Sequence, residues 1–476
     1  MEDYHRTNLG QQFAKLESEH PGESGFSIVR YGNNAFNLRL SMIDLAEETI
    51  DLQVYIWTRD DTGIIMAERI LQAARRGVRV RLLVDDLGFG GEDMGLSTFN
   101  SHPNIEIRVF NPFANRNNRV LDFVFDLGRV NHRMHNKTLI ADNSVALVGG
   151  RNIGDIYFGV GADTNFRDLD IFAVGPIVRD ISSMFDHFWR SEHAVPVEAL
   201  LPEPPSDEDI GQNVTSLYAQ ISQSDYPYDL ESDVSEYKKL LQTRGDALIW
   251  APGAIIWDDP DNLSQAADRG GEVATRFRNK LSKIDQSLVI ESAYFVVGDG
   301  GVDKVKELSE KGVEVRVLTN SLLSNDVLAA HAGHANYRQG LVEAGAEIYE
   351  FRADSTAIRK TWVGDSKAGL HTKAMAFDGR SLFIGSFNLD PRSANINTEA
   401  GVYVESPILT AQLLEYMDEG VQPENAYRLS LDENGKLIWT TQDKGDVLRY
   451  NKDPLSTWGQ RFTAGFIGIL PIESQL

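Results

Sequence analysis

Two stretches of this chain repeat one constellation of residues 236 positions apart. The first, HNKTLIADNSVALVGGRN, begins at His135, and the second, HTKAMAFDGRSLFIGSFN, begins at His371. Each holds His-x-Lys, four residues and then Asp: His135, Lys137 and Asp142, and His371, Lys373 and Asp378. An apolar strand follows in both, then Gly149 or Gly385 and Asn152 or Asn388. One such spacing is expected by chance in roughly a few per cent of chains this long. Two copies with Gly and Asn in register exclude chance, so the chain is an internal duplication and folds as two related halves.

The residue types specify phosphoryl chemistry. An imidazole near neutrality can attack phosphorus or carry a proton for a leaving group, but one ring cannot do both in a single step. Two imidazoles facing each other across a phosphodiester can. Lys supplies fixed positive charge to the non-bridging oxygens, and Asn a neutral donor. If the motif is a strand, His135 and Lys137 share a face, as do His371 and Lys373. Asp142 and Asp378 then lie beyond the strand at a turn, as local clamps rather than reactants. Two later carboxylates complete the set. Glu399 stands 28 residues after His371, and its counterpart, allowing a loop five residues longer, is Asp168. A carboxylate on Nδ1 fixes the tautomer and leaves Nε2 for the phosphate. Asp170 competes for this role in the first half.

The repeat extends beyond the motifs. Gly77-Val78 and Gly312-Val313 occupy equivalent places, as do Gln53 and Glu291, and Pro176 and Pro407. Residues 34–48 have helical spacing, 49–57 read as a buried strand, 63–77 as a helix and 78–86 as the next strand. That order predicts a right-handed parallel crossover. The expected fold is α/β: two duplicated halves, each a mixed, mostly parallel β-sheet flanked by helices, with one active site at the pseudo-twofold interface. The expected segments are a polar N-terminal lead at 1–24, a first half at 25–197 and a Pro-, Ser- and acid-rich linker at 198–244. A second half at 245–420 and a C-terminal extension at 421–476 follow. The linker is given one short helix, at residues 234–241. Residues 87–95, LGFGGEDMG, fit no dinucleotide fingerprint and read as a loop at a strand end. Near the end, Trp458, Phe462, Phe466, Ile469 and Leu470 form an apolar face, either an interfacial membrane anchor or a helix packing on the body.

Composition limits the partners. With 476 residues and no Cys, the chain buries a large core without disulfides or thiolate metal sites. The net charge of −24 opposes broad nucleic-acid binding and simple electrostatic docking on anionic lipid. An anionic partner therefore needs a local basic patch, for which Arg116, Arg119, Arg129, Arg133 and Lys137 are candidates. No run of eighteen apolar residues predicts a membrane-spanning helix, and the first twenty residues hold no signal-peptide core.

The doubled signature resembles that of the phospholipase D superfamily. The phrases NHRMHNK, VGGRNIGDIYFG, TIDLQVYIW and TNSLLSNDVLAAHAGHANYR look like bacterial cardiolipin synthases of the C type, from about His20 to the terminal LPIE. The resemblance implies phospholipase D-like halves and ping-pong phosphatidyl transfer with no metal or cofactor. By position, His135 resembles the nucleophile that forms a phosphatidyl-histidine. His371 would protonate the leaving alcohol and then deprotonate the incoming one. Lys137, Lys373, Asn152 and Asn388 would hold the phosphoryl oxygens. Further candidates for substrate contact are Gly150 and Ser386, where the copies differ, with Tyr294 and His331. His331 and His334 form an H-x-x-H without a clear third ligand, so packing or headgroup contact is expected there rather than metal. The implied donor is phosphatidylethanolamine or phosphatidylglycerol and the acceptor a phosphatidylglycerol hydroxyl; water in its place gives phosphatidic acid, as in a phospholipase D. A phosphodiesterase acting on nucleic acid is opposed by the acidic balance, and an inactive lipid-binding scaffold by two intact signatures. The expected setting is peripheral, on the bacterial inner membrane, with phospholipids and no nucleic acid as partners. Any accessory protein and the oligomeric state are left open.

Overall fold

The computed structural model describes residues 6–89, 93–116, 118–201, 203–224, 226–243, 247–262, 270–355, 362, 365–470 and 475. Gly90 and Gly91 of the glycine loop, and 471–473 of the terminal LPIE, lie outside the described residues.

Each half is built on one sheet. In the first the strand order is Ile249–Ala251, Ser24–Val29, Asp170–Val174, Val145–Gly149, Thr138–Ala141, Thr49–Ile56, Arg79–Gly88, Ile105–Phe110 and Ala194–Pro196. The second runs Gly253–Trp257, Ala400–Glu405, Ser381–Gly385, Lys373–Phe377, Ser287–Ser292, Glu314–Asn320, Glu347–Phe351, Ala426–Leu431, Leu437–Asp443 and Asp446–Tyr450. The crossover units pair in parallel as expected, Thr49–Ile56 with Arg79–Gly88 and on to Ile105–Phe110, and likewise at Ser287–Ser292, Glu314–Asn320 and Glu347–Phe351. The sheets are mixed, but the parallel part is smaller than the sequence suggested, and the remaining neighbours run antiparallel. The cause is local. After each motif strand the chain reverses through left-handed residues, Asp142 and Asn143 at φ 52° and 51°, and Asp378 and Gly379 at 54° and 63°. A hairpin this tight can close only an antiparallel pair.

Three segments differ from expectation. The N-terminal lead forms the helix Asn8–Glu19, capped by Thr7, with Leu9 and Phe13 in the first-half core. The acidic linker folds into two helices, Asp207–Ser222 with a Ser206 capping box and Leu230–Thr243, which bury Leu217, Val234 and Leu241 against that core. The C-terminal extension adds three antiparallel strands to the second sheet before ending in the helix Trp458–Ile469. In each case a few apolar residues at helical or alternating spacing outweigh a polar composition.

The halves meet through a shared core. Phe26, Ile140, Val148 and Ile171 of one sheet pack with Ala374, Ala376, Leu382, Ile384 and Val402 of the other, and with the helices Pro176–Arg190 and Pro407–Gly420. The stretch 249–257 crosses between the sheets. Ile249–Ala251 pairs with Ser24–Val29, and beyond Pro252 Gly253–Trp257 pairs with Ala400–Glu405.

Candidate active site

Two short parallel pairings join the halves at the motif histidines. Met134 bridges Thr398, the His135 amide donates to the Thr398 carbonyl at 2.9 Å, and the Thr398 amide donates to Arg133 at 2.9 Å. On the other side, strand Lys367–Leu370 pairs with Thr164–Arg167, and the His371 and Thr372 amides donate to the Arg167 carbonyl at 2.8 and 3.1 Å. The residue after each inter-half contact is a carboxylate, Glu399 after Thr398 and Asp168 after Arg167. Strands Thr164–Arg167 and Asp170–Val174 are separated by Asp168 and Leu169, which frees Asp168 from the ladder.

The tethers therefore cross between halves. His135 Nδ1 lies 2.9 and 3.1 Å from the Glu399 carboxylate oxygens, and His371 Nδ1 lies 2.6 Å from Asp168 Oδ2. Spacing along each half sets Glu399 with His371 and Asp168 with His135; the structure exchanges the partners. Asp170 is out of the competition, because its Oδ2 accepts from Arg39 and Arg151 at 2.9 Å each. Both Nε2 atoms are left free of these carboxylates, as the tautomer argument requires.

His135 and Lys137 precede strand Thr138–Ala141 rather than lying within it, and His371 falls between Leu370 and Lys373, in the gap between two strands. Each Lys folds back so that its ammonium donates to the carbonyl of its own His. Lys137 also lies over the Tyr55 ring, 5.1 Å from its centroid. Asn152 accepts from the Ile56 amide at 3.2 Å and donates to the Tyr157 hydroxyl at 3.0 Å, whereas the Oδ1 of buried Asn388 has no partner among the described residues. Asp142 accepts from the amides of Glu47, Glu48 and Thr49, and Asp378 from those of Asp285, Gln286 and Ser287. Each clamps the start of a neighbouring strand, at the turn end of its own motif strand.

Burial and charge make the two tethers unequal. Burial raises the Glu399 carboxyl to about 7 against the pull of Lys137 and Ser386, while burial with Lys137, Lys373 and His371 pushes His135 well below 6.5. Burial would also raise Asp168, but His371, Lys373 and Arg151 hold it below the usual carboxylate range. His371 is lowered by burial and Lys373, partly offset by Asp168. Burial depresses Lys137 and Lys373 as well, a cost that a phosphate anion between them would relieve. Gly150 and Ser386 belong to this asymmetry. The Ser386 hydroxyl donates to Glu399, whereas a Cβ at Gly150 would meet Asp168 Oδ1 at 2.3 Å.

The remaining candidates divide. The Tyr294 hydroxyl donates to Asp326 at 3.0 Å. His331, for which packing or headgroup contact was expected, is turned to Asp453 at 3.3 Å within a buried network holding His334, Glu350, Arg338 and Trp439. Helix Leu328–Glu343 carries this face toward the segment after the last strand, which it anchors. The expected basic patch is neutralised internally: Arg116 pairs with Asp86 and Asp93, Arg119 with Asp86, Arg129 with Asp126 and Arg133 with Asp85.

Sequence reasoning missed the aromatic cage. Tyr55 meets His135 edge-on at 5.0 Å, Tyr157 meets His371 edge-on at 5.2 Å, and Phe166 stacks on His371 at 5.2 Å. Tyr55 lies two residues beyond Gln53, which the repeat aligned with Glu291, so strand parity was the available signal. A strand buried on both faces hides that parity.

The family described as "Cardiolipin synthase, PLD-like domain" matches residues 40–189 and 277–420. Cardiolipin synthase C of Escherichia coli (strain K12) is 38% identical over 470 residues, covering 98% of this chain and 99% of that protein. A cardiolipin synthase of Alkalihalophilus pseudofirmus is 24% identical over 408 residues, 86% of this chain and 68% of that one. The fold is similar to the crystal structure of phosphatidylserine synthase from Haemophilus influenzae Rd KW20, at a TM-score of 0.59 and 14% identity, covering 89% of this chain and 92% of that one. With both motif-bearing halves matched and the likeness running along 98% of its length, the chain belongs to the cardiolipin synthase family of phospholipase D-like enzymes, which act on the phosphatidyl groups of phospholipids.

Proposed function

We propose that this enzyme is a cardiolipin synthase-type phosphatidyltransferase, moving a phosphatidyl group from phosphatidylethanolamine or phosphatidylglycerol to a hydroxyl of phosphatidylglycerol. The observation that carries it is the crossed tether, in which each half orients the histidine of the other. In the first step His135 Nε2 attacks phosphorus. The bond to the leaving alcohol breaks, and the proton on His371 Nε2 passes to the departing oxygen. In the second, neutral His371 takes the proton of the acceptor hydroxyl, whose oxygen attacks phosphorus and expels His135. Protons and bonds balance without a metal or an oxidant.

The inequality of the tethers supports this direction. His135 is pushed further down than His371, which favours the neutral nucleophile, and the ionised Asp168 offsets part of the burial that lowers His371, so His371 holds its proton better than His135 does. Lys137, Lys373, Asn152 and Asn388 hold the phosphoryl oxygens in this scheme. A lipid rather than a nucleic acid is supported by the internally paired arginines. It is also supported by an apolar cavity of about 260 Å³ beyond Trp57, lined by Ile64, Phe89, Met94, Phe99 and Leu217. Trp57, at one end of the cavity, bridges Ile153, the residue after Asn152. The chain would work as a peripheral protein of the bacterial inner membrane; among the described residues no helix is long and apolar enough to cross one.

The test is incubation with phosphatidylethanolamine and phosphatidylglycerol, following cardiolipin, phosphatidic acid and ethanolamine. Cardiolipin with little phosphatidic acid is expected. Phosphatidic acid alone would make the enzyme a hydrolase, and release of nucleotides from nucleic acid with no lipid product would overturn the proposal.

A further inference from the structure

Eighteen large apolar side chains are exposed among the described residues, and half of them belong to two short segments. One is the helix Val120–Phe125, where Val124 and Phe125 are 65% and 82% exposed. The other is the terminal helix Trp458–Ile469, where Trp458, Phe462, Phe466 and Ile469 are 73%, 60%, 57% and 83% exposed. The spacing of those four puts them on one face. The opposite face is seated on helix Leu328–Glu343: Ala464 is buried, and Asn336 Nδ2 donates to the Gly468 carbonyl at 3.2 Å. The helix is fixed to the body, and its apolar face is turned outward.

Both segments reach the same rim of the active site. Gln475, just beyond the terminal helix, accepts from Asn131 Nδ2 at 2.7 Å, and Arg392 donates to Asn131 Oδ1 at 2.8 Å. Asn131 lies between the helix Val120–Phe125 and His135, and Arg392 follows Asn388 by four residues. Charge sets these faces apart from the rest of the molecule. The chain has 70 acidic residues, yet Trp458–Ile469 contains none. The one acid in Val120–Phe125, Asp122, is buried and accepts from the Asn115 amide at 2.9 Å.

We propose that the enzyme docks on a lipid bilayer by inserting these two apolar faces into the interface, so that the rim at Asn131 and Arg392 opens onto the membrane. The proposal deepens the lipid assignment above and rests on it for its orientation. The terminal helix has 12 residues, too few to span a bilayer but suited to lying in its plane. Trp458 and Phe462, stacked at 5.2 Å, supply the aromatic pair that the headgroup region favours. Arg116, Arg119 and Arg133 are paired with internal acids and the net charge is −24, so apolar insertion rather than attraction to anionic headgroups carries the docking.

The test uses the full chain, with Phe125→Asp and Phe466→Asp, and cosedimentation with vesicles of phosphatidylcholine alone or mixed with phosphatidylglycerol, at low and high salt. The wild type is expected to bind both vesicle types with little loss at high salt, and each variant to bind at least about tenfold more weakly. Hydrolysis or transfer on dihexanoyl phospholipid below its micellar concentration is expected to persist in both variants. Phe125→Ser and Phe466→Ser serve should an aspartate variant melt early. Unchanged vesicle binding in the variants would overturn the proposal. So would binding that needs phosphatidylglycerol and disappears in salt, or a wild-type dimer that the variants dissociate without loss of vesicle binding. Vesicle binding is read without turnover, so an enzyme that failed every lipid assay could still pass this one, and the two failures are distinguishable.

Discussion

Replacing Glu399 by Gln removes a negative charge while keeping the size of the side chain and an oxygen for His135 Nδ1. Its cost follows from the site. Glu399 is fully buried and lies 2.9 Å from a ring that becomes cationic when its Nε2 bonds to phosphorus. With the charges about 4 Å apart and an effective dielectric of about 20, the lost attraction is about 4 kcal/mol. Relief from burying the carboxylate returns part of that, leaving about a hundredfold in the rate of covalent labelling. Asp168→Asn acts on His371 instead, so it should slow phosphatidylethanolamine turnover by a similar factor. It should spare labelling from a donor whose leaving group, such as p-nitrophenol, needs no proton. The assay is single-turnover labelling of the protein by a radiolabelled donor of each kind. Because Glu399 is raised to about 7, the wild type gains the charge as pH rises through that value. The ratio of wild-type to Glu399→Gln rates should therefore grow across pH 7, while the variant stays flat until His135 protonates below 6.5. The reverse pattern, with Asp168→Asn abolishing labelling and Glu399→Gln sparing it, would refute the crossed tethers.

His135→Ala should abolish labelling with every donor, while His371→Ala should still be labelled by a donor with a good leaving group; the opposite outcome in gel autoradiography would exchange their roles. Asp142→Ala strands three backbone donors in a buried site and should cost about 3 kcal/mol in urea unfolding. Asp378→Ala, in a more open site, should cost about half as much. Gly150→Ser should fail to imitate the second half, because its Cβ arrives 2.3 Å from Asp168 Oδ1; a fall in phosphatidylethanolamine turnover of at least about tenfold is expected. A carboxyl raised on folding binds its proton more tightly in the native state. Its stabilising effect is therefore complete at low pH and lost as pH rises through about 7. The stability of Glu399→Gln relative to wild type should accordingly rise between about pH 5 and 8 in denaturant melts.

The duplication, the motif residues and the two carboxylates were legible in the chain because chemistry fixes residue type and a repeat fixes spacing. The parallel crossovers at Thr49–Ile56 and Ser287–Ser292 were legible too, since strand–helix–strand order admits few topologies. The linker helices and the strands after 420 were not. Their few buried residues, such as Leu217, Val234 and Trp439, are diluted among polar ones. Packing and headgroup contact could not be told apart at His331, because an H-x-x-H on a helix looks the same in sequence whether it faces a ligand or Asp453.

By itself the sequence determined which atoms could take part: two imidazoles, two ammonium groups, two amides and two carboxylates, each supplied once per half. Which carboxylate serves which histidine was decided only in three dimensions, by the parallel contacts at Thr398 and Arg167. The physical reason is that spacing along a chain records covalent distance. A tether is a distance through space, and here the sheet-to-sheet core sets it.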